Sequence, residues 1–350
     1  MEGVRRRLAV SAPEYLWPAA ALLASLLIVI PLVALAGEDP AEGYETLFDA
    51  SFGSPAGFGV MLQYSVPLIL VGLGVALPLR VGLFNIGGEG QLVVGALAAV
   101  VVGVHFGAVA GAPASFVVPL LAAGLAGGFL GAIAGALKAW RGINEIITTI
   151  MLNFIGLLFV QYWVTGPFKD PELTYAASST INRDFALDRL AGDARIPSSF
   201  LVAVAIALVI AAAVHWSRAG WRLHLGGMNP QLAERQGANV PFMYFWALAA
   251  GGALAGVGGG AEAIGNQLRV GEEFSPGWGF DAIAVAILAR GNMLAVVPYA
   301  LFFGFLRNGA GVLQTDLGVP GAIVVMLAGA PVIIVAAVLG FRAYRRAQRG

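Results

Sequence analysis

The sequence predicts an all-α protein that crosses a membrane about ten times, with both ends on the cytoplasmic side. Three observations carry that expectation. Of 350 residues, 59% are hydrophobic and 11% charged, with a mean hydropathy of +0.82. A soluble domain carries about 25% charged residues, so polar surface is too scarce here to cover a protein in water. The apolar residues fall in runs near the ~20 needed to span a bilayer as a helix. Cationic side chains, finally, gather in alternate loops, as they do when those loops stay inside.

Taken in order, the chain opens with Arg5-Arg6-Arg7 and an uncharged run from Leu16 to Ala36. Ala34-Leu35-Ala36 before Gly37 has the look of a signal-peptide cleavage site, but the run exceeds a usual h-region of about 7–15 residues. A retained first helix is the preferred reading. Further spans are expected at Val60–Leu79, with Pro67 and Pro78 bending it, and at Gln91–Val109, Phe116–Leu137 and Glu145–Thr165. The longest polar stretch, Gly166–Ser198, has room for a short surface helix. Phe200–Trp216, Pro241–Gly265, the short Gly279–Ala289, Met293–Leu313 and Val319–Leu339 complete the set. Residues 1–15 then form a cytoplasmic tail, 16–340 a single membrane domain, and 341–350 a basic tail. Arg80, Lys138, Arg141, Arg218, Arg222, Arg235 and Arg290 fall inside in this arrangement. Glu38, Asp39, Glu42, Glu45, Asp49, Asp170, Glu172, Glu272 and Glu273 fall outside.

Glycine is abundant, at 48 residues. Gly124, Gly128, Gly131 and Gly135, and again Gly252, Gly256 and Gly260, are spaced so that helix backbones can approach closely in lipid.

Several function classes are excluded. With no Cys there is no disulfide, thiol nucleophile or Cys-ligated metal. Lys138 and Lys169 follow Leu137 and Phe168, whereas a phosphate-cradling loop needs Gly directly before its Lys. His105, His215 and His224 lack partners at metal-ligand spacing, and no serine elbow is present. The chain reads as a non-enzyme without cofactor or metal, and its net charge of zero argues against nucleic acid.

The informative residues are polar ones at membrane depth, where a charge costs about 2.5–3.5 kcal/mol on insertion scales. Val81–Gly95, VGLFNIGGEGQLVVG, sets Asn85, Glu89 and three glycines between apolar runs. It is a broken helix lining a polar path or a cytoplasmic turn following Arg80. Asn153, Glu262, Asp281, Arg307 and Asn308 share its depth, with Glu262 nearer a membrane end. Asp281 and Arg307 could also form a structural pair. Phe84 beside Asn85 suits a flat polar ring, which can stack and hydrogen-bond at once, though it could equally be a packing residue. The predicted path is lined by Phe84, Asn85, Glu89, Asn153, Asp281, Arg307 and Asn308.

The inside loop Ser217–Val240 predicts a surface helix over Asn229–Gly237, with Asn229 as N-cap and Pro230 at the first helical position. Leu232, Ala233, Gly237 and Ala238 turn away from Glu234 and Arg235. Such a face docks a soluble partner or lies on headgroups.

FNIGGEGQ (Phe84–Gln91), NEIITTIMLNFI (Asn144–Ile155), GMNPQLAERQG (Gly227–Gly237), GWGFDAIAVAIL (Gly277–Leu288) and FGFLRNGAGVLQ (Phe303–Gln314) occur in an order that resembles one family. It is the membrane permeases of bacterial ABC importers, in the ribose and branched-chain amino-acid permease superfamily, and most similar to its nucleoside and simple-sugar branch. The resemblance covers about Val60–Leu339. It implies the ABC importer permease fold in the inner membrane, ATP hydrolysis in separate ATPase subunits, and a second permease subunit that is usually a different chain. It also implies an extracytoplasmic substrate-binding lipoprotein. The ATPase-coupling segment would comprise Gly226, Asn229, Pro230, Ala233 and Gly237. Glu234-Arg235-Gln236 departs from the small or aromatic residues usual there, and Arg290 stands where Gly is usual. A nucleoside or related simple sugar is the implied cargo. The competing class is an ion-coupled secondary transporter or channel in which Glu89 and Asp281 relay protons or cations.

Overall fold

A computed structural model describes residues 22–105, 115–190 and 192–323, with residues 326, 329, 330, 333, 334 and 337 beyond. The chain divides into two compact units, one of residues 58–305 and one combining 1–57 with 306–350. Helix dominates, and extended pairing among the described residues is limited to isolated bridges such as Ala177 with Gly271.

In chain order the helices are α1 (Val29–Ala36), α2 (Pro40–Phe52), α3 (Pro55–Leu79), α4 (Gly88–His105), α5 (Val117–Arg141) and α6 (Glu145–Thr165). Then come α7 (Ser198–Trp216), α8 (Arg218–Met228), α9 (Pro230–Arg235), α10 (Val240–Glu262), α11 (Trp278–Ala289) and α12 (Val296–Asp316). Among the described residues, seven helices are long and apolar enough to cross a membrane: α3 to α7, α10 extended to Gln267, and α12. Ten crossings were expected. The described part of the first run, Leu22–Ala36, and α11 with 12 residues fall short of a span. The tenth run and both tails lie largely outside the described residues.

The 58–305 unit is built on glycine-to-backbone contacts. A Cβ on Gly131 of α5 would overlap the Leu248 carbonyl of α10, and one on Gly252 would overlap the Gly127 carbonyl of α5. Gly95 of α4 meets Gly256, and Gly74 of α3 meets Gly251, in the same way. Three helices thus pack backbone to backbone against α10, as small residues allow where no hydrophobic drive exists between helices. Apolar side chains fill what remains, with Leu70, Leu92 and Leu248 all fully buried. Both Pro67 and Pro78 sit inside α3.

Turn chemistry sets the connections. α5 ends at Gly142 in the left-handed region (φ 66°), and Lys138 forms an ion pair of 2.8 Å with Glu145 across the turn. Asn144 then caps α6 through Ile146 N–H. The polar stretch after α6 is tied to the segment after α10: Ser178, Ile181 and Leu187 N–H donate to the Val270, Leu268 and Ile264 carbonyls at 2.8, 2.9 and 2.9 Å. Its expected surface helix is a single 3-10 turn, Arg183–Phe185.

In the other unit, the acidic stretch read as loop forms α2. Asp39 caps it and Pro40 opens it. Gly43 of α2 packs on Val33 of α1, and Gly309 of α12 packs on Leu47.

Candidate functional site

The Gly-rich stretch is neither a continuous helix nor a plain surface turn. After α3 the chain turns at residues 80–82, runs without regular structure through 83–86, and enters α4 at Gly88. Asn85 is fully buried there. Its amide donates to the Gly74 carbonyl (3.3 Å) and to Gln91 Oε1 (2.9 Å), while its Oδ1 accepts from Gly87 N–H and Gln91 Nε2, each at 3.1 Å. Irregular backbone at membrane depth survives only when protein satisfies it, and these bonds do so.

α6 supplies the other wall. Asn153 donates to the Ile86 carbonyl (2.6 Å) and accepts from Gly90 N–H (2.8 Å). Thr149 Oγ1 accepts from Ile86 N–H at 3.3 Å. The absence of a side chain at Gly90 lets Asn153 come this close, since a Cβ there would stand 2.7 Å from the Asn153 Cα.

Glu89, in the first turn of α4 and 3% exposed, reaches a second helix start. Its Oε2 accepts from Gly279 N–H of α11 at 2.6 Å. Each helix N-terminus carries unsatisfied N–H groups and about half a positive charge, so two such ends converge on one carboxylate. At the opposite end of α11, Arg80 Nη1 donates to the Gly291 carbonyl at 3.0 Å. α11 therefore runs from the Glu89 level to the Arg80 turn, about 18 Å for 12 residues. Asp281 lies in its first turn, 5% exposed. Two interrupted helices meeting at interior N-termini is the geometry with which membrane carriers hold polar cargo.

Of the predicted path residues, Asn85 and Asn153 both tie down the 85–91 stretch, and Glu89 within it accepts from the helix that carries Asp281. Phe84 stands beside it, 39% exposed. Arg307 and Asn308 belong to the other unit. There Asn308 donates to the Ala50 carbonyl (2.8 Å), Ser51 Oγ (3.0 Å) and the Gly57 carbonyl (3.3 Å), and Arg307 is half-buried.

Sequence reasoning set Glu262 apart and passed over Gln63. The two meet 199 positions apart, with Gln63 Nε2 donating to Glu262 Oε2 at 3.2 Å. Asn266 (2.7 Å) and Gln267 (3.3 Å) donate to the other oxygen. They do so from a π-turn, Ala263–Gln267, that continues α10. Such turns often mark functional positions. Gln63 alone was legible, as an amide inside an apolar run.

The loop read as a docking segment holds two helices where one was expected. α8 starts at Ser217, whose Oγ accepts from Gly220 N–H, and places Gly226 against Met243. α9 is capped by Asn229 through Leu232 N–H (3.0 Å), opens with Pro230, and is closed by Gly237 at φ 79°. Ala233 is fully buried, while Glu234 and Arg235 are exposed.

Residues 58–336 match the family described as branched-chain amino acid transport system / permease component. A glucose ABC transporter permease of Haloferax volcanii is 35% identical over 94% of this chain and 88% of its own length. A guanosine ABC transporter permease of Bacillus subtilis is 32% identical, covering 93% and 94%. A nucleoside ABC transporter permease of Lactococcus lactis is 31% identical, covering 92% and 91%. ABC permeases of this kind leave ATP hydrolysis to a partner subunit, and the apolar helices make this one a multi-pass membrane protein. The chain belongs to the family of branched-chain amino acid transport system permease components.

Proposed function

We propose that this chain is the membrane-spanning subunit of an ATP-driven importer that moves a nucleoside or a related simple sugar across the bacterial inner membrane. Its supporting partners are an ABC ATPase, a second and different permease chain, and an extracytoplasmic binding lipoprotein. Similarity over more than nine-tenths of the chain to permeases named for guanosine, nucleosides and glucose carries this reading. The exposed Phe84 ring suits a flat nucleobase and favours the nucleoside, while Asn85 beside it is fully buried with its amide engaged by the protein. In this reading cargo passes Phe84, Asn85, Glu89, Asn153 and Asp281 in one unit, and Arg307 and Asn308 in the other. Gly226, Asn229, Pro230, Ala233 and Gly237 meet the ATPase.

Vesicles holding the chain with its partners should take up labelled guanosine when ATP is present on the ATPase side, and not when only a proton gradient is imposed. Phe84→Ala removes a half-exposed ring that anchors no described hydrogen bond. It should lower uptake about tenfold, the worth of ~1.4 kcal/mol of lost contact, at unchanged protein level. Uptake driven by the proton gradient would overturn the importer reading. Normal guanosine uptake in Phe84→Ala would remove that residue from the path.

Ten crossings with both termini inside remain part of the proposal. The chain is free of Cys, so a single Ser179→Cys reports sidedness cleanly. It should react with a membrane-impermeant thiol reagent from the outside; reaction only from the cytoplasmic side would reverse the topology.

A further inference from the structure

A groove of about 910 Å³ lies among α4, α5 and α6. Small residues line it from each helix (Ala98, Ala126 and Gly156), between large ones such as Leu125 and Phe129, which are 76% and 67% exposed. Gly156 packs closely on Gly90 of α4, where an added Cβ would lie 3.0 Å from the Gly90 Cα and carbonyl oxygen. At one end the groove shares Leu97, Val101 and Phe168 with a smaller cavity of about 150 Å³ lined by His105, Lys169, Ser178 and Ser179. An apolar trough thus runs into a polar, cationic pocket.

The position of that pocket along the helices is informative. α6 has 21 residues, about 32 Å at the helical rise and so about one hydrocarbon thickness. His105 lies on α4, and α6 ends at Thr165 with Lys169 just past it. Trp163, Phe168 and His105 cluster at this end, Phe168 tilted against Trp163 and edge-to-face with His105, with ring centroids 5.0 and 5.4 Å apart. Aromatic rings collect at the headgroup level. Among the described residues Lys169 takes no ion-pair partner.

We propose that the groove holds one anionic phospholipid, an acyl chain lying along α4, α5 and α6 and its phosphate against Lys169 and Ser179. Charge complementarity selects the occupant. A neighbouring helix would match the apolar trough alone, whereas an anionic lipid also uses the lysine and hydroxyl at its end, the pattern by which basic pockets between membrane helices hold lipid headgroups. The site is separate from the proposed cargo path and stands or falls without it.

The test uses the chain purified with its partner subunits in mild detergent, exchanged with phosphatidylglycerol or phosphatidylcholine and weighed by native mass spectrometry. One phosphatidylglycerol should be retained per chain, in about fivefold preference over phosphatidylcholine, the worth of one lysine near a lipid surface. Lys169→Gln should erase that preference. Ala126→Phe, filling the trough, should reduce retention of both lipids. Should Ala126→Phe fail to fold, Lys169→Gln, on the surface, still decides. Equal retention of the two lipids by the unaltered chain, or an unchanged preference in Lys169→Gln, overturns the proposal. So does a Phe129→Cys variant that cross-links to a cysteine on the second permease chain in the membrane, since that would place a helix in the groove.

Discussion

Glu89 and Glu262 are buried to nearly the same degree in the 58–305 unit, 3% and 1% exposed, yet the chain accommodates them by opposite means. Glu89 begins α4 and accepts from the Gly279 N–H in the first turn of α11, so backbone at two helix starts faces it and both dipoles favour its charge. Glu262 lies where α10 gives way to its π-turn, toward the end where the dipole opposes a negative charge. Side chains compensate: Gln63, Asn266 and Gln267 each donate to it. One carboxylate is held by local chain geometry, and the other by residues that folding must first bring together. The first kind leaves a glycine signature in the sequence; the second leaves almost none.

The largest effect should come from blocking the junction of the two helix starts. A Cβ at Gly279 would overlap the backbone N of Glu89 and come within 2.7 Å of its Oε2. The α4 start cannot retreat, because Gly90 N–H is tied to Asn153 and Ile86 is held on both faces. Gly279→Val should therefore cost more than about 4 kcal/mol, the range of severe core lesions. Little monodisperse protein should be recovered. A variant that purifies normally and melts with the parent would mean that the two starts are not rigidly joined, and the distinction drawn for Glu89 would fail.

Glu262 should respond next, and in proportion to what is stranded. Glu262→Leu leaves the amides of Gln63 and Asn266 without their acceptor, at about 1–3 kcal/mol for each group left unsatisfied, while Gln267 keeps its bond to the Phe274 carbonyl. Glu262→Gln keeps one acceptor oxygen and should lie between Leu and the parent. Thermal melting of the three proteins in one detergent should rank them in that order. If Leu melts with or above Gln, the amides do not depend on the carboxylate.

Much of the fold was legible because membrane helices are written locally. α6 falls at Glu145–Thr165 as expected, and the Gly124–Gly135 and Gly252–Gly260 series mark the faces on which α5 and α10 do pack. The α9 cap was equally plain, since Asn229-Pro230 opens a helix wherever it stands. α2 was read as loop because its acids outweighed its caps, although Asp39-Pro40 is the same kind of start signal. α8 was hidden by its three glycines and its arginines within a loop read for one helix. Asn85, Glu89 and Asn153 could be named as polar residues in apolar runs, but the pairing of Asn153 with Ile86, 67 positions away, could not. The Gln63–Glu262 contact escaped for the same reason, with even greater separation. Polar residues reveal that they need partners; one sequence does not say which.

The smallest stability effect, and the one that bears most on function, is expected at Glu89 itself. Glu89→Gln preserves shape and leaves an oxygen to accept from Gly279 N–H, while removing the charge that two helix ends favour. A hydrogen bond to a charged group contributes about 1.5–3 kcal/mol against about 0.5–1.5 for a neutral one, so the change should cost about 1 kcal/mol. On the scale of a domain of this size that is a melting shift of about 2–4 °C. Structure alone would then lose little, and uptake per folded transporter would stay near the parent level. If Glu89 also faces the cargo, as proposed, uptake should fall about tenfold or more, well beyond what so small a melting shift explains. Measured side by side, a small melting shift with normal uptake would reduce Glu89 to a joint between α4 and α11. The same shift with lost uptake would leave it both the joint and part of the path.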